Sequence, residues 1–241
     1  KTKGELYDFL RPKSDSTVFI HHDNSYLMNI AGGLNLVSYG TEDGLYINGR
    51  ITDNSPYLTF EWKAGKDGEV HQVRTQLIGE YNFPNALAAI TIGRFFGVEA
   101  QQIDEALAEY TPQNNRSQLK KTEDNTLIID AYNANPTSMM AALQNFRNMT
   151  VPHKMLLLGD MRELGAESAA EHQKIVDYIK ENGFEKVWLV GEQFAAAQHS
   201  FKTYANVQEV IKELETNKPK GYTILIKGSN GIKLSSTVEH L

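Results

Sequence analysis

The sequence of 241 residues contains no cysteine. Disulfide bonds, thiolate nucleophiles and zinc sites built on cysteine are therefore excluded, and the absence fits a reducing compartment. No apolar run approaches the ~18 residues of a membrane-spanning helix, and no signal peptide is present. The net charge is −6 and lysine and arginine are not clustered, so the chain is not expected to bind nucleic acid. We predict a cytoplasmic protein that inserts into no membrane, and we take it to be monomeric.

The chain also lacks a glycine-rich phosphate loop of the Walker-A type. Its only Gly-Lys pair is Gly65-Lys66, which Asp67 follows in a predicted hairpin turn, and the glycine that should stand upstream is missing. The sequence begins at Lys1 rather than at a methionine, in what reads as a helix. We therefore expect the chain to be a piece of a longer protein.

Hydrophobic residues make up 41% of the chain and charged residues 22%, which is typical of a globular protein long enough for two domains. The character of the chain changes near Thr111–Asn115, and we predict domains over residues 1–112 and 113–241. The first domain is predicted to be β-rich, with short strands divided by turn signals into an antiparallel sheet. Two helices follow, near Pro84–Phe96 and Gln101–Tyr110. The predicted strands are Thr17–Ile20, Leu36–Tyr39, Leu45–Ile51, Tyr57–Trp62 and Val70–Ile78.

The second domain alternates strictly between apolar strands and amphipathic helices. This alternation indicates an α/β fold with a Rossmann-like, doubly wound and mostly parallel sheet. Ser168 and Glu171 have the spacing of a capping box, and Asn135 is a good N-cap with Pro136 at the first helical position. The predicted strands are Thr126–Asp130, Met155–Gly159, Val187–Gly191 and Tyr222–Lys227, and a last apolar stripe runs from Leu234 to Leu241.

The predicted strands of the second domain end in residues that can bind a ligand. Asp130 closes one strand, Asp160 follows another, and Lys227 ends the last. Parallel strands bring their carboxyl ends to one rim of the sheet, where ligands bind in such folds. The backbone N–H groups of Lys227–Gly231 could also hold an anion. The alternative is a set of ordinary polar loops and an ordinary strand-to-helix turn.

Three other polar features have simpler explanations. His21 and His22 are adjacent on a predicted strand, so they point to opposite faces and cannot easily share a metal ion. His172 lies on the apolar stripe of its helix and is predicted to be a packed, hydrogen-bonded histidine. Asn82 and Asn85 flank a helix start, where carboxamides either cap the helix or read the edge of a planar base. The spacing of these residues alone favours the interpretation that they cap the helix.

Four strings occur in order along the chain, and together they resemble the Mur ligase family. They are Gly-Glu-Tyr-Asn-Phe-Pro-Asn-Ala-Leu-Ala-Ala at 79–89, Asp-Ala-Tyr-Asn-Ala-Asn-Pro at 130–136, Leu-Gly-Asp-Met-Arg-Glu-Leu-Gly at 158–165 and Lys-Gly-Ser at 227–229. Members of the family have an N-terminal UDP-substrate domain, a central ATPase domain and a C-terminal Rossmann-like domain. The resemblance covers essentially the whole chain, and it implies the last part of the central domain followed by the complete C-terminal one.

The resemblance implies roles for residues that match the family's motifs. Lys3 matches a catalytic helix lysine that is typically carbamylated and bridges metal ions, because a carbamate supplies a hard cation with oxygen ligands. Asn82 and Asn85 match positions that contact adenine, and Arg116 matches an arginine that packs on or bonds to the nucleotide. Asp130 matches the carboxylate that holds the ribose hydroxyls.

The remaining matches are implied to lie near the reacting groups. Tyr132 and Asn133 would lie near the phosphates or the acyl group, Tyr132 as a nucleotide contact and Asn133 as a catalytic residue. One departure concerns Arg116, because the family usually reads Pro-Gly-Arg where this chain reads Pro112-Gln-Asn-Asn-Arg116. The residues implied to lie near the incoming dipeptide are Asp160, Glu163, Lys227 and Ser229.

The activity implied by the resemblance is formation of an amide bond with ATP and Mg²⁺. The terminal carboxylate of UDP-N-acetylmuramoyl-tripeptide attacks the γ-phosphate, and the amine of D-alanyl-D-alanine displaces phosphate from the resulting acyl phosphate. The reaction belongs to peptidoglycan biosynthesis, and so to cell-wall biogenesis, cell shape and cell division. Without a phosphate loop the chain alone is expected to be inactive. The alternatives are a folylpolyglutamate or cyanophycin-type ligase of the same superfamily, and a non-catalytic binding module that kept the fold.

Overall fold

The structure is a computed structural model that describes the backbone of residues 2–241 and the side chains from Gly4 onward. The chain divides into two compact units. The first contains the residues up to Gln76 together with Glu80–Tyr110, and the second contains Leu77–Gly79 and Thr111–Leu241. None of the helices in these described residues is both long and apolar enough to cross a membrane.

The first unit is a five-stranded sheet with four helices in its described part. The strands lie in the order β1-β2-β3-β4-β5. From β1 to β3 they run parallel, and from β3 to β5 they run antiparallel. The elements are α1 (Thr2–Leu10), β1 (Val18–His21), α2 (Ser25–Ile30), β2 (Leu36–Gly40), β3 (Ile47–Asp53), β4 (Thr59–Ala64), β5 (His71–Arg74), α3 (Phe83–Phe95) and α4 (Ala100–Glu109).

The prediction of an antiparallel sheet is therefore wrong for β1, β2 and β3. For β1 and β2 the reason is α2, a six-residue helix that connects the two strands and was not predicted. It begins after Asn24, whose side chain accepts a hydrogen bond from the N–H of Leu27 at 3.1 Å. A helix of this length is too short for an apolar stripe to be recognised. Val18 and Ile20 of β1 pack in a core cluster with Tyr7 of α1, which explains why this end of the sheet needs a helical layer.

The second unit is a six-stranded sheet in the order β10-β9-β8-β11-β7-β6. Every pairing is parallel except that of β6 with β7, so the predicted doubly wound, mostly parallel sheet is confirmed. The elements are β6 (Gln118–Lys121), β7 (Thr126–Asp130), α5 (Pro136–Asn148), β8 (Lys154–Gly159), α6 (Ser168–Asn182), β9 (Lys186–Val190), α7 (Glu192–Ala196), β10 (Lys202–Tyr204), α8 (Val207–Asn217) and β11 (Thr223–Lys227). Short 3₁₀ turns at Asn230–Ile232 and Leu234–Thr237 replace the predicted last helix.

The two predicted helix starts have different outcomes. Asn135 caps α5 as predicted, because its side chain accepts from the N–H of Ser138 at 2.8 Å and Pro136 occupies the first turn. The capping box at Ser168 is wrong, because Ser168 is already inside α6 and the N-cap residue is Glu167. The hydroxyl of Ser168 donates instead to Oε1 of Gln193 at 2.8 Å, which ties α6 to the next helix.

The edge strands of the second sheet are short and polar. At one edge β6 exposes Lys120 and Lys121, and at the other β10 has three residues, of which Lys202 and Thr203 are exposed. The first sheet ends differently, because its terminal strand in the described part is β1, with the sequence Val-Phe-Ile-His. Between the edges of the second sheet, β7, β8 and β11 carry the buried apolar residues that fix their strand ends in register.

Candidate functional site

The carboxyl ends of β7 and β11 place an aspartate directly beside a buried lysine. Asp130 and Lys227 are register partners on the two parallel strands. The ammonium of Lys227 lies 2.5 Å from Oδ2 of Asp130, and the lysine side chain is only 2% exposed. An unpaired ammonium at such a depth would be strongly unfavourable, so the lysine requires this carboxylate. Oδ1 of Asp130 accepts no hydrogen bond from the described residues.

The loop after Asp130 is held by two polar contacts to oxygen atoms of Asn133. The Lys227 ammonium also approaches the carbonyl oxygen of Asn133 at 3.5 Å. The side-chain oxygen of Asn133 accepts from the N–H of Ala134 at 2.9 Å, and the residue is exposed. The loop therefore presents the Asn133 amide group at the rim of the sheet, one turn before α5 begins.

Arg116 and Tyr132 form a flat, solvent-accessible platform beside this loop. The guanidinium carbon of Arg116 lies 3.8 Å from the centre of the Tyr132 ring, and the tyrosine is 44% exposed. Asn114 and Asn115 both have left-handed backbone conformations, with φ of 59° and 58°. Both residues lie within the longer Pro112–Arg116 segment, just before Arg116. A stacked guanidinium and phenol are suited to a planar or anionic ligand.

Asp160 plays a structural part at the end of β8. Its two carboxylate oxygens accept the N–H groups of Gln193 and Phe194 at 3.0 and 2.9 Å, which are the first unpaired amides of α7. A Cβ on Gly191 would lie 2.3 Å from Oδ2 of Asp160, and Gly191 has φ of 118°. Only glycine fits at that position, and the carboxylate of Asp160 is fully engaged by the protein.

The loop after Asp160 and the loop after Lys227 are joined through Ser229. The Ser229 hydroxyl accepts from the N–H of Arg162 at 2.9 Å, and the N–H of Ser229 donates to the carbonyl of Asp160 at 3.2 Å. Glu163 follows in a left-handed conformation, with φ of 65°, and is exposed. A non-glycine residue held in this conformation is often a functional one.

These loops border an open cavity of about 790 Å³ in the second unit. Its lining includes the charged or polar residues Arg162, Glu163, Glu192 and Gln193. Arg162 has no ion-pair partner among the described residues. A Cβ on Gly231 would lie 2.3 Å from its Nη1, so the glycine leaves room for the guanidinium. Sequence reasoning did not select Arg162, because a lone arginine in a polar loop gives no signal before the loops are assembled. The mixture of charges suits a small ligand that carries both a carboxylate and an amine.

In the first unit, Asn82 and Asn85 stand at the start of α3, as predicted. Asn82 is the N-cap residue but makes no side-chain capping bond, so the capping alternative does not describe it. Nδ2 of Asn85 approaches Oδ1 of Asn82 at 3.4 Å, and Asn85 is exposed. The two carboxamides are thus neighbours at the helix start.

The predicted metal residue Lys3 lies outside the residues whose side chains are described. Within the described residues, no group of three or more His, Asp or Glu side chains is placed to hold a metal ion. The adjacent histidines pair with different carboxylates, His21 with Asp23 at 3.4 Å and His22 with Glu42 at 3.4 Å. They do not converge on a common point.

Two domain families match the chain. The Mur ligase middle domain matches residues 1–93, and the Mur ligase glutamate ligase domain matches residues 115–230. A UDP-N-acetylmuramoyl-tripeptide–D-alanyl-D-alanine ligase of Bacillus subtilis (strain 168) is 34% identical over 176 residues, which are 68% of this chain and 38% of that protein. The protein with the same name from Escherichia coli (strain K12) is 28% identical over an alignment of 257 positions, which covers 100% of this chain and 55% of that protein. The chain therefore spans about half or less of the length of these relatives.

Solved structures show the same fold. A MurF from Acinetobacter baumannii superposes with a TM-score of 0.80 at 24% identity, covering 98% of this chain and 53% of that chain. The MurF ligase from Thermotoga maritima, solved in complex with ADP, has a TM-score of 0.78 at 18% identity, with 95% and 53% covered. Because both domain families match consecutive parts of the sequence and the structure folds as they do, this chain belongs to the Mur ligase family.

Proposed function

We propose that the chain is part of an ATP-dependent ligase that joins D-alanyl-D-alanine to UDP-N-acetylmuramoyl-tripeptide. The observation that carries the proposal is the likeness to ligases of that name, which extends over the whole chain for the E. coli relative. The B. subtilis and E. coli relatives both carry this name, which favours it over the folylpolyglutamate and cyanophycin-type alternatives. We place the reaction, a step of peptidoglycan precursor synthesis, in the cytoplasm and assign it to a monomer. The two domains are assigned to residues 1–112 and 113–241.

The nucleotide is proposed to be ATP, and the contacts proposed for it are described separately for each unit. Asn82 and Asn85 supply adjacent carboxamides, each with a donor and an acceptor, which match the edge of adenine. Asp130 offers Oδ1 to the ribose hydroxyls while Lys227 neutralises Oδ2, so the site gains no net charge. Arg116 and Tyr132 supply the stacked platform for the nucleotide. The Thermotoga relative holds ADP, which supports a nucleotide site in this fold.

The dipeptide is proposed to bind in the cavity beside Arg162 and Glu163. A dipeptide has a carboxylate for the guanidinium and an amine for the glutamate, and 790 Å³ is ample for it. Asp160 and Ser229 shape the cavity by holding its loops in place. Lys227 contributes to the site indirectly, by holding the carboxylate of Asp130. Asn133 is proposed to face the reacting acyl group from the rim of the sheet. The amine attacks the acyl carbon, the bond to phosphate oxygen breaks, and the amine loses its proton.

Magnesium is proposed on the resemblance alone, and Lys3, as a carbamate, would supply it with oxygen ligands. The described side chains form no group of three or more that could hold the ion. Intact-mass measurement of the chain under bicarbonate, compared with a Lys3→Arg variant, tests the modification. An added mass equal to one CO₂ on the wild type alone is the expected result, and the same added mass on both proteins, or none on either, would contradict it.

A chimera tests the activity as a whole. This chain replaces the matching half of the E. coli ligase, and phosphate release is measured with ATP, UDP-N-acetylmuramoyl-tripeptide and D-alanyl-D-alanine. Phosphate release is expected to require all three compounds. L-glutamate is not expected to substitute for D-alanyl-D-alanine. A folded chimera whose phosphate release ignores the dipeptide would contradict the proposal. Calorimetric titration of the chain with D-alanyl-D-alanine and with L-alanyl-L-alanine gives a second comparison, which does not require the chimera to fold.

A further inference from the structure

His172 is a fully buried histidine that no part of the proposed reaction uses. It lies on α6 with 0% of its surface exposed. Nδ1 lies 2.7 Å from the carbonyl oxygen of Ser168, one turn earlier in the helix, and Nε2 lies 3.0 Å from the backbone nitrogen of Met161. The ring also packs edge-to-face on Phe194, with 4.7 Å between the ring centres. The histidine therefore connects α6 to the loop after β8 and to α7.

The two hydrogen bonds determine where the proton is. A backbone N–H can only donate, so Nε2 must accept with its lone pair, and Nδ1 must carry the proton that it donates to the Ser168 carbonyl. Oδ1 of Asp160 lies 3.7 Å from Nε2, beyond hydrogen-bond range, and its own acceptor capacity serves the amide of Phe194. The geometry requires a neutral ring with the proton on Nδ1.

Three consecutive residues after β8 are each held by a hydrogen bond, and the bond from Met161 to His172 is the middle one. On either side of it, the carboxylate of Asp160 accepts from the N–H groups of α7, and the N–H of Arg162 donates to the hydroxyl of Ser229. After these anchors the chain turns through Glu163 in its left-handed conformation. The two side chains that follow the anchored Met161 are Arg162 and Glu163, which line the cavity.

We propose that His172 is a positioning residue whose neutral Nε2 holds the N–H of Met161 and so sets where Arg162 and Glu163 stand in the cavity. Without this acceptor the buried N–H of Met161 has no partner, and the loop must move to find one. The effect on ligand affinity rests on the proposed binding of the dipeptide, whereas the effect on the loop does not.

Two variants of the full chain separate the hydrogen bond from the packing. In His172→Gln the carboxamide oxygen reaches about as far as Nε2 and can accept from Met161. In His172→Asn the carboxamide reaches only as far as Nδ1, so it can still bond Ser168 but leaves Met161 unpaired. Both variants lose the ring contact with Phe194, which makes them a matched pair. His153→Gln, at an exposed histidine on another loop, serves as the neutral control.

Amide hydrogen exchange at Met161, followed by NMR, is the primary measurement. Exchange is expected to be about 10- to 100-fold faster in His172→Asn than in His172→Gln. The amide of Phe194, which Asp160 holds, should exchange equally in both variants. Equal exchange at Met161 would overturn the proposal. Should either variant fail to fold, ring ¹⁵N shifts of wild-type His172 decide instead, because a ring with its proton on Nε2, or on both nitrogens, is incompatible with the proposal.

Titration with D-alanyl-D-alanine separates this inference from the proposed function. Binding is expected to weaken about 10-fold in His172→Asn and to stay within about threefold of wild type in His172→Gln. If wild type binds no dipeptide while the difference at Met161 stands, the proposed function fails and the positioning of the loop holds. If wild type binds and the two variants bind equally, His172 does not position the cavity residues.

Discussion

Lys227 and Asp130 form an ion pair across two parallel strands, with 2.5 Å between Nζ and Oδ2 and the lysine almost completely buried. Burial of an ammonium is tolerable only while its counter-charge is present. The pair is therefore a condition for the stability of the sheet, in addition to the ligand contact proposed for Asp130. The two roles can be separated experimentally.

Asp130→Asn is predicted to lower the free energy of unfolding by about 3–5 kcal/mol, because it leaves the Lys227 charge buried and unpaired. Chemical denaturation of the second unit can be followed through Trp188 in a Trp62→Phe background, since these are the two tryptophans. Lys220→Met removes a lysine that is 70% exposed and should change stability by less than about 1 kcal/mol. A loss of similar size in both variants would mean that the buried pair has no special role.

Arg116→Lys is predicted to weaken ATP binding about two- to fivefold, because a lysine keeps the charge but loses the planar stacking on Tyr132. Calorimetric titration with ATP measures the change. Lys13→Met is a suitable control, since it removes another cation–π contact, that of Lys13 at 3.8 Å over Phe9, at a residue with no proposed ligand role. Unchanged affinity in Arg116→Lys and a loss in Lys13→Met would place the nucleotide elsewhere.

Gly191→Ala is predicted to destabilise the second unit by about 3 kcal/mol. The added Cβ would press on the Asp160 carboxylate at 2.3 Å, and the backbone has φ of 118°. Gly183→Ala is the matched comparison, because Gly183 also has a positive φ, 59°, but open space around it. It should cost about 1–2 kcal/mol. Equal losses would show that the carboxylate can move away, so that the clash adds nothing to the backbone strain.

Asp124 gives a prediction about acid stability. Hydrogen bonds from Lys218 and Lys220 hold the pKa of Asp124 below its usual value. A lowered pKa in the folded state stabilises the protein above the unfolded-state pKa, and this stabilisation is lost as the pH falls through the folded-state pKa. Asp124→Asn should therefore be less stable than wild type at neutral pH and equal to it in strong acid. Thermal unfolding across this pH range tests the prediction, and a constant difference between the two proteins would contradict it.

The sequence was most informative where long apolar strands alternate with helices. The prediction of β7 as Thr126–Asp130 is correct to the residue, because the apolar run, the closing aspartate and the Asn135 cap all agree. The strands β6 and β10 were not predicted, because three or four polar residues at a sheet edge have no apolar pattern. Such strands are recognised only from their pairing with a neighbour.

For the candidate site, the sequence pattern predicted where the polar residues lie on the sheet better than it predicted which atoms they contact. The convergence of Asp130 and Lys227 at one rim follows from parallel strands, but their ion pair depends on a register that the sequence does not encode locally. Asp160 was expected beside a ligand, yet its carboxylate serves α7, a five-residue helix that no periodicity indicates. Arg162 emerged only when three loops were assembled around one cavity.

The contrast between the two sheets has a consequence for handling the protein. Charged side chains on β6 and the shortness of β10 discourage any further strand from adding to the second sheet. Of the two terminal strands of the first sheet in the described residues, β1 carries three apolar residues and no lysine, whereas β5 reads His-Gln-Val-Arg. If concentrated samples of this chain self-associate, the contact should begin at β1, and Phe19→Lys should raise the concentration at which particles form.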